Sequence, residues 1–183
     1  MKFVFDIKLN DEDYLKYNEF VILSSPYGKK SINSMRYLVG GIYVVFSILT
    51  LVMNGFNVGG LISLIPLTLI CLGMLFAIKP MLRSSIKTQV KNMKATGKMA
   101  YSEASTLEFD EESFCEITAE NKTENKYSAV ERVSILKSGN VYIHINGVMG
   151  YIIPKASFES DEKYAEFETF LKEKVDCVQY YKK

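Results

Sequence analysis

Residues 37–78 contain no Asp, Glu, Lys, Arg or His, a block of 42 positions in which Gly, Asn, Ser and Thr are the only polar interruptions. Two apolar runs lie inside it, residues 37–53 and residues 58–78. At about 1.5 Å per residue they would reach roughly 25 and 31 Å as helices, close to the roughly 30 Å hydrocarbon thickness of a bilayer. The first run extends through Met35 or Ile32 if Arg36 snorkels. Only Asn54-Gly55-Phe56-Asn57 separates the two runs, a turn-forming sequence too short for a soluble domain. A chain of 183 residues has too little remaining mass to surround two helices that are apolar on every face. These features predict a two-helix transmembrane hairpin over 37–78.

The flanks set the expected orientation. Lys29, Lys30 and Arg36 precede the first run; Lys79, Arg83, Lys87, Lys91, Lys94 and Lys98 follow the second; the connecting turn has no Lys or Arg. The positive-inside rule then puts both termini in the cytoplasm. Five acids in the first 36 residues argue against a cleaved signal peptide. No ionisable residue lies within either run, which argues against a proton relay or ion path in this chain alone. Gly40, Gly41, Gly59, Gly60 and Ser63 are small residues that let a neighbouring helix approach closely.

Residues 79–98 form a basic connector of charge +6 with no acids, whereas residues 99–183 carry ten basic and sixteen acidic residues. Leu82, Ile86, Val90 and Met93 recur at helical spacing on one face. Arg83, Lys87, Lys91, Lys94 and Lys98 follow one residue behind as a cationic stripe. Such a helix either lies on anionic lipid or docks its apolar face on the folded domain and turns the cations toward head groups, gaining about 1 kcal/mol per basic residue near the surface. These five cations are the candidate head-group contacts. The stripe lacks interleaved aromatics, so nucleic acid is not an expected partner.

Beyond residue 99 the period changes to two. Strands are expected over 106–109, 114–118, 127–130, 133–137, 141–145 and 151–153, with 120–126 as a hairpin loop and Asn146-Gly147 as a tight turn. A helix follows, with Ser160 as N-cap and Tyr164, Phe167, Phe170, Leu171 and Val175 as its apolar face. The alternation of Phe3, Phe5 and Ile7 adds a strand over 2–9, and residues 11–23 read as a helix capped by Asn10 or Asp11. The expected fold is therefore a membrane α-helical hairpin plus an α+β cytoplasmic domain. In that domain an antiparallel sheet curls around a closing C-terminal helix. Four segments result: 1–36, 37–78, 79–98 and 99–183.

Little in the chain points to chemistry. His144 is expected on the exposed strand face it shares with Tyr142, with no carboxylate or thiol at ligand spacing. Cys71, Cys115 and Cys177 are not at CxxC spacing and read as reduced. Asp110-Glu111-Glu112 reads as a solvated turn, and Asn121-Lys122-Thr123 as a glycosylation sequence on the wrong side of the membrane. No nucleophile elbow, zinc-protease, P-loop or dinucleotide signature is present, so no catalysis, cofactor or metal is expected.

The N-terminal strand followed by Asp11-Glu12-Asp13-Tyr14, the twin apolar runs, the basic connector, Tyr142, Ile152-Ile153-Pro154-Lys155-Ala156-Ser157-Phe158 and the aromatic helix together resemble the YcxB-like family of small bacterial membrane proteins. The resemblance implies a pleckstrin-homology-like antiparallel β-barrel or sandwich, closed by a C-terminal helix, behind a hairpin in the bacterial inner membrane, and brings no activity or catalytic residues. The expected function is a membrane-anchored interaction module that binds a protein partner or anionic inner-leaflet lipid. The alternative is an accessory subunit of a larger transporter or sensor complex. Homo-oligomers are compatible with both.

Overall fold

The computed structural model describes residues 3–97, 101–147 and 149–182. The chain divides into two compact units, residues 18–91 and residues 1–17 with 92–183.

The first unit is helical. Helix α1 (Asp11–Leu23) begins in the other unit and ends here. Asn10 caps it, its Oδ1 accepting from the amides of Glu12 at 2.8 Å and Asp13 at 3.0 Å, and three acids fill its positive first turn. Helix α2 (Pro26–Asn54) starts at a second cap: Ser25 Oγ accepts from Gly28 N at 3.0 Å, and Pro26 takes the first helical position, where no amide is needed. A Cβ on Gly28 would lie 2.2 Å from the carbonyl oxygen of Ile22, so only glycine fits this corner.

Helix α3 (Val58–Thr96) is longer than expected. The basic segment does not form a separate helix but continues α3 without a break through Pro66 and Pro80. Each proline removes one helical hydrogen bond, and the remaining ladder on either side carries the helix across. Gly55, at φ 82°, reverses the chain between α2 and α3. Gly60 lets the turn close, since a Cβ there would sit 1.9 Å from the Gly55 carbonyl oxygen, and Asn57 Oδ1 accepts from Gly60 N at 2.9 Å. The helices are tied by Tyr43 Oη and Thr68 Oγ1 at 2.9 Å. Both are long and apolar enough to cross a membrane, and their large side chains point outward: Phe46 is 53% and Phe76 81% exposed.

The second unit is α+β. Strands β1 (Phe3–Lys8), β2 (Ala104–Phe109), β3 (Ser113–Ile117) and β4 (Lys122–Lys126) form one antiparallel sheet in sequence order. Strands β5 (Arg132–Leu136), β6 (Val141–His144), β7 (Gly150–Ile153) and β8 (Val178–Tyr181) form a second, ordered β7-β6-β5-β8. Helix α4 (Asp161–Lys174) precedes β8 and starts where Ser160 Oγ accepts from Lys163 N at 3.2 Å. One core joins both sheets and α4: Phe5, Ile7, Leu107, Phe109 and Phe114 from the first sheet, Val133, Ile135, Val141, Ile143 and Ile153 from the second, and Phe167, Phe170 and Leu171 from the helix.

Three expectations are corrected here. Residues 122–126 are strand β4 rather than loop, paired along β3 from Ser113↔Lys126 to Ile117↔Lys122. Residues 127–129 are one turn of 3-10 helix instead of a strand. The sheets are not wholly antiparallel, because β8 runs parallel to β5 once α4 has carried the chain back. Among the described residues β1, β4, β7 and β8 remain edges, so the strands make two sheets and no closed barrel.

Candidate functional site

The cationic stripe lies on the C-terminal part of α3. Its apolar companions are taken up by protein: Ile86 and Val90 are buried, while Leu82 and Met93 are partly buried. This face is therefore unavailable for insertion into lipid. Arg83, Lys87 and Lys91 recur every four residues on the adjacent, exposed side. Among the described residues none of the three has an ion-pair partner.

Lys94 differs. Its ammonium is held by the Asp11 carboxylate, and Tyr101 Oη donates to the other carboxylate oxygen at 2.9 Å. The hydrogen bond from Lys94, followed by that from Tyr101, holds the Asp11 carboxyl below its ordinary value. The phenol of Tyr101 is pushed up to about 12, chiefly by desolvation and then by its bond to Asp11. Tyr14 packs at a tilt against Tyr101 with centroids 4.7 Å apart, fixing the acceptor end of α1 beside the lysine. Of the five sequence candidates, three thus share a free face and one is committed to an internal pair. The fifth, Lys98, lies outside the described residues.

The second polar feature departs from the expectation of an exposed histidine. His144 is fully buried, not exposed. Alternation along β6 does place Tyr142 and His144 opposite Val141 and Ile143, but both faces of this strand are covered. Tyr17 of α1 stacks on the His144 ring at 5.8 Å and meets Tyr142 edge-on at 5.1 Å. A Cβ at Gly150 would come within 2.8 Å of the Tyr17 hydroxyl, so glycine keeps room for that lid. The available signal was the aromatic spacing of Tyr14, Tyr17 and Phe20 on α1, which needed an apolar surface to rest on.

Beneath Tyr17, Arg132 Nε donates to Ser134 Oγ at 3.3 Å, and Ser134 Oγ lies 3.1 Å from His144 Nε2. The serine oxygen accepts from arginine and shares a second hydrogen bond with the imidazole, tying β5 to β6 through their side chains. Burial, reinforced by the neighbouring Arg132 charge, lowers the His144 pKa from 6.5 to about 3. A nucleophile–base spacing exists between Ser134 and His144, but both side chains are sealed from solvent and the imidazole resists taking a proton. Arg132 is 4% exposed; its nearest carboxylate is Glu131, at 3.9 Å from Nη1. The cluster is a buried polar brace that closes the outer face of the second sheet.

Cys71, Cys115 and Cys177 are unpaired thiols, and among the described residues no group of three or more His, Cys, Asp or Glu is arranged to hold a metal ion.

An α+β domain of two sheets and a helix, in one chain with a pair of long apolar helices, is the class of protein these features define. Residues 109–171 match the family model described as YcxB-like protein, and the C-terminal domain belongs to that family. The match runs from the end of β2 into α4 and includes the Ile152-Ile153-Pro154-Lys155 segment; the apolar helices and basic stripe lie outside it. No curated protein and no solved structure matched the chain.

Proposed function

We propose that the protein is a membrane-anchored interaction module. Helices α2 and α3 cross the bacterial inner membrane as a hairpin, both termini lie in the cytoplasm, and the α+β domain works at the inner leaflet. The observation that carries this reading is the pairing of outward-facing apolar side chains on α2 and α3 with Arg83, Lys87 and Lys91 free on the continuation of α3. In water those apolar faces would be costly; in lipid they are at home. The three cations then meet anionic head groups. Two sheets sharing a core with a C-terminal helix support the pleckstrin-homology-like reading of the domain.

Full-length protein released from mixed phosphatidylglycerol and phosphatidylcholine micelles should retain phosphatidylglycerol in native mass spectrometry. At about 1 kcal/mol per cation, replacing Arg83, Lys87 and Lys91 by Gln should weaken that retention on the order of 100-fold. Unchanged retention would remove the lipid contact from the scheme. Impermeant labelling of a cysteine placed at Asn57 tests the topology: reaction in intact cells is expected only from outside.

The accessory-subunit reading is favoured by one observation. A Cβ on Gly40, Gly41 or Gly73 would meet nothing within 4 Å, whereas Gly60 is consumed by the hairpin's own turn. A stoichiometric second membrane protein after purification in mild detergent would support it.

A further inference from the structure

The groove beside β1 and α4 has no occupant in the scheme above. It has a volume of about 650 Å³ and is floored by Phe3, Ala165, Thr169 and Phe170. Glu162, Glu166 and Glu173 line its helix side, following one another along a single face of α4. Phe3 anchors the floor, with its ring 5.2 Å from both Phe167 and Phe170. Lys163 pairs with Glu166 at 2.9 Å, leaving the lining with a net negative charge.

The strand that borders the groove is an open edge. Leu9 N donates to Glu103 O at 2.9 Å, continuing the β1–β2 register in which Phe3 faces Phe109 and Ile7 faces Ser105. Odd-numbered residues therefore exchange main-chain hydrogen bonds with β2, and the peptide groups of Val4, Asp6 and Lys8 point away from the sheet. Among the described residues nothing in the main chain bonds to them. The other edge of the same sheet, β4, is guarded by Lys122, Glu124 and Lys126. On β1 the first outward side chain is Val4, 49% exposed and apolar.

We infer that this groove takes an extended basic peptide segment of a partner protein, added as a strand to the edge of β1. Main-chain bonds to Val4 and Asp6 would hold the segment. A strand in that place turns alternate side chains inward, over Phe3 and Ala165. Lysine or arginine at those positions lays its stem on the aromatic floor and its charge among Glu162, Glu166 and Glu173. The acidic lining repels phosphate head groups, and an incoming helix would leave the strand's peptide groups unsatisfied; both observations select an extended cationic chain. The inference rests on the domain being an interaction module but not on its lipid contact, because the Arg83, Lys87 and Lys91 substitutions should leave peptide binding unchanged.

The test uses full-length protein in phosphatidylcholine nanodiscs and a fluorescein-labelled heptapeptide, Lys-Thr-Lys-Val-Lys-Thr-Lys, read by anisotropy. Saturable binding is expected, with at least a tenfold loss for the combined variant Glu162→Gln, Glu166→Gln, Glu173→Gln. Two N-methylated peptides, one modified at the odd amides and one at the even, keep the charge and leave the protein untouched. One should lose at least tenfold and the other stay within threefold, because only one set of amides faces β1. Equal binding of both peptides would show charge attraction without strand addition and overturn the inference. Absence of saturable binding to the parent peptide would overturn it as well.

Discussion

Phenylalanine is placed in opposite ways by the two units. In α2 and α3, Phe46 and Phe76 are 53% and 81% exposed; in the α+β unit, Phe109 and Phe167 are fully buried. The side chain is the same and the surroundings differ. The sheet unit buries its own aromatics: Phe109 lies between Phe5 at 5.9 Å, Phe114 at 5.3 Å and Phe167 at 4.9 Å. The helical unit buries few of its large side chains and leaves the rest exposed. One unit holds its structure by internal packing, whereas the other satisfies its backbone within each helix and leaves most of its apolar side chains outside any protein core.

The largest expected effect tests that contrast directly. Phe109→Ala removes a ring from a close-packed core and should cost about 3–5 kcal/mol in denaturant unfolding of the detergent-solubilised protein. Phe46→Ala, on an outward face, should stay within about 0.5 kcal/mol. Comparable losses at the two positions would mean that the α2 face is packed against protein, and the division between the units would fail.

The next effect separates the units by pH. The ordinary pKa of His144 is 6.5, and in the folded protein burial and Arg132 lower it to about 3. Above pH 6.5 the imidazole is neutral folded or unfolded, so the group adds no pH dependence. As pH falls from 6.5 toward 3 the unfolded chain takes up a proton that the folded chain refuses, and stability drops, by about 2 kcal/mol at pH 5. The loss should appear in the α+β unit, monitored by amide exchange of β5 and β6, and His144→Gln should flatten the slope between pH 7 and 5. A slope that survives the substitution assigns the proton elsewhere.

A smaller effect is expected at the start of α4. Ser160→Ala deletes the acceptor for Lys163 N and should cost about 1 kcal/mol, with Ser160→Asp restoring most of it. The measurement is thermal unfolding of the full chain.

The features legible in the sequence were those fixed by local chemistry. Asn10 and Ser160 act as caps because a side-chain oxygen three residues before a free amide needs no distant partner. The apolar runs of α2 and α3 and the aromatic face of α4 follow from period alone. What escaped depended on distant pairing. β4 reads Lys-Thr-Glu-Asn-Lys with no apolar alternation, and its strand conformation comes from pairing along β3, including Ser113 Oγ to Glu124 at 2.6 Å. β8 exists because α4 returns the chain beside β5. His144 was placed on the wrong side of the solvent boundary because two-residue alternation reports which face a residue takes, and nothing in β6 announces that Tyr17 covers the second face. The cationic stripe was legible as a stripe, but the commitment of Lys94 to Asp11 spans 83 positions and has no local signal.

The smallest effect refines the comparison from inside the helical unit, where polar contacts are few. Thr68 Oγ1 donates to the Leu64 carbonyl at 2.9 Å, so in its contact with Tyr43 the phenol is the donor and the threonine oxygen the acceptor. Tyr43→Phe removes one interhelical bond while leaving the Thr68 proton satisfied. The expected cost is about 0.6 kcal/mol, the scale of an interhelical hydrogen bond in lipid, with the α+β unit unaffected. Thr68→Val should cost the same, and the double variant should lose no more than either single one, since both delete one bond. Additive losses in that cycle would mean that the two hydroxyls act separately and that α2 and α3 are held together by apolar packing alone.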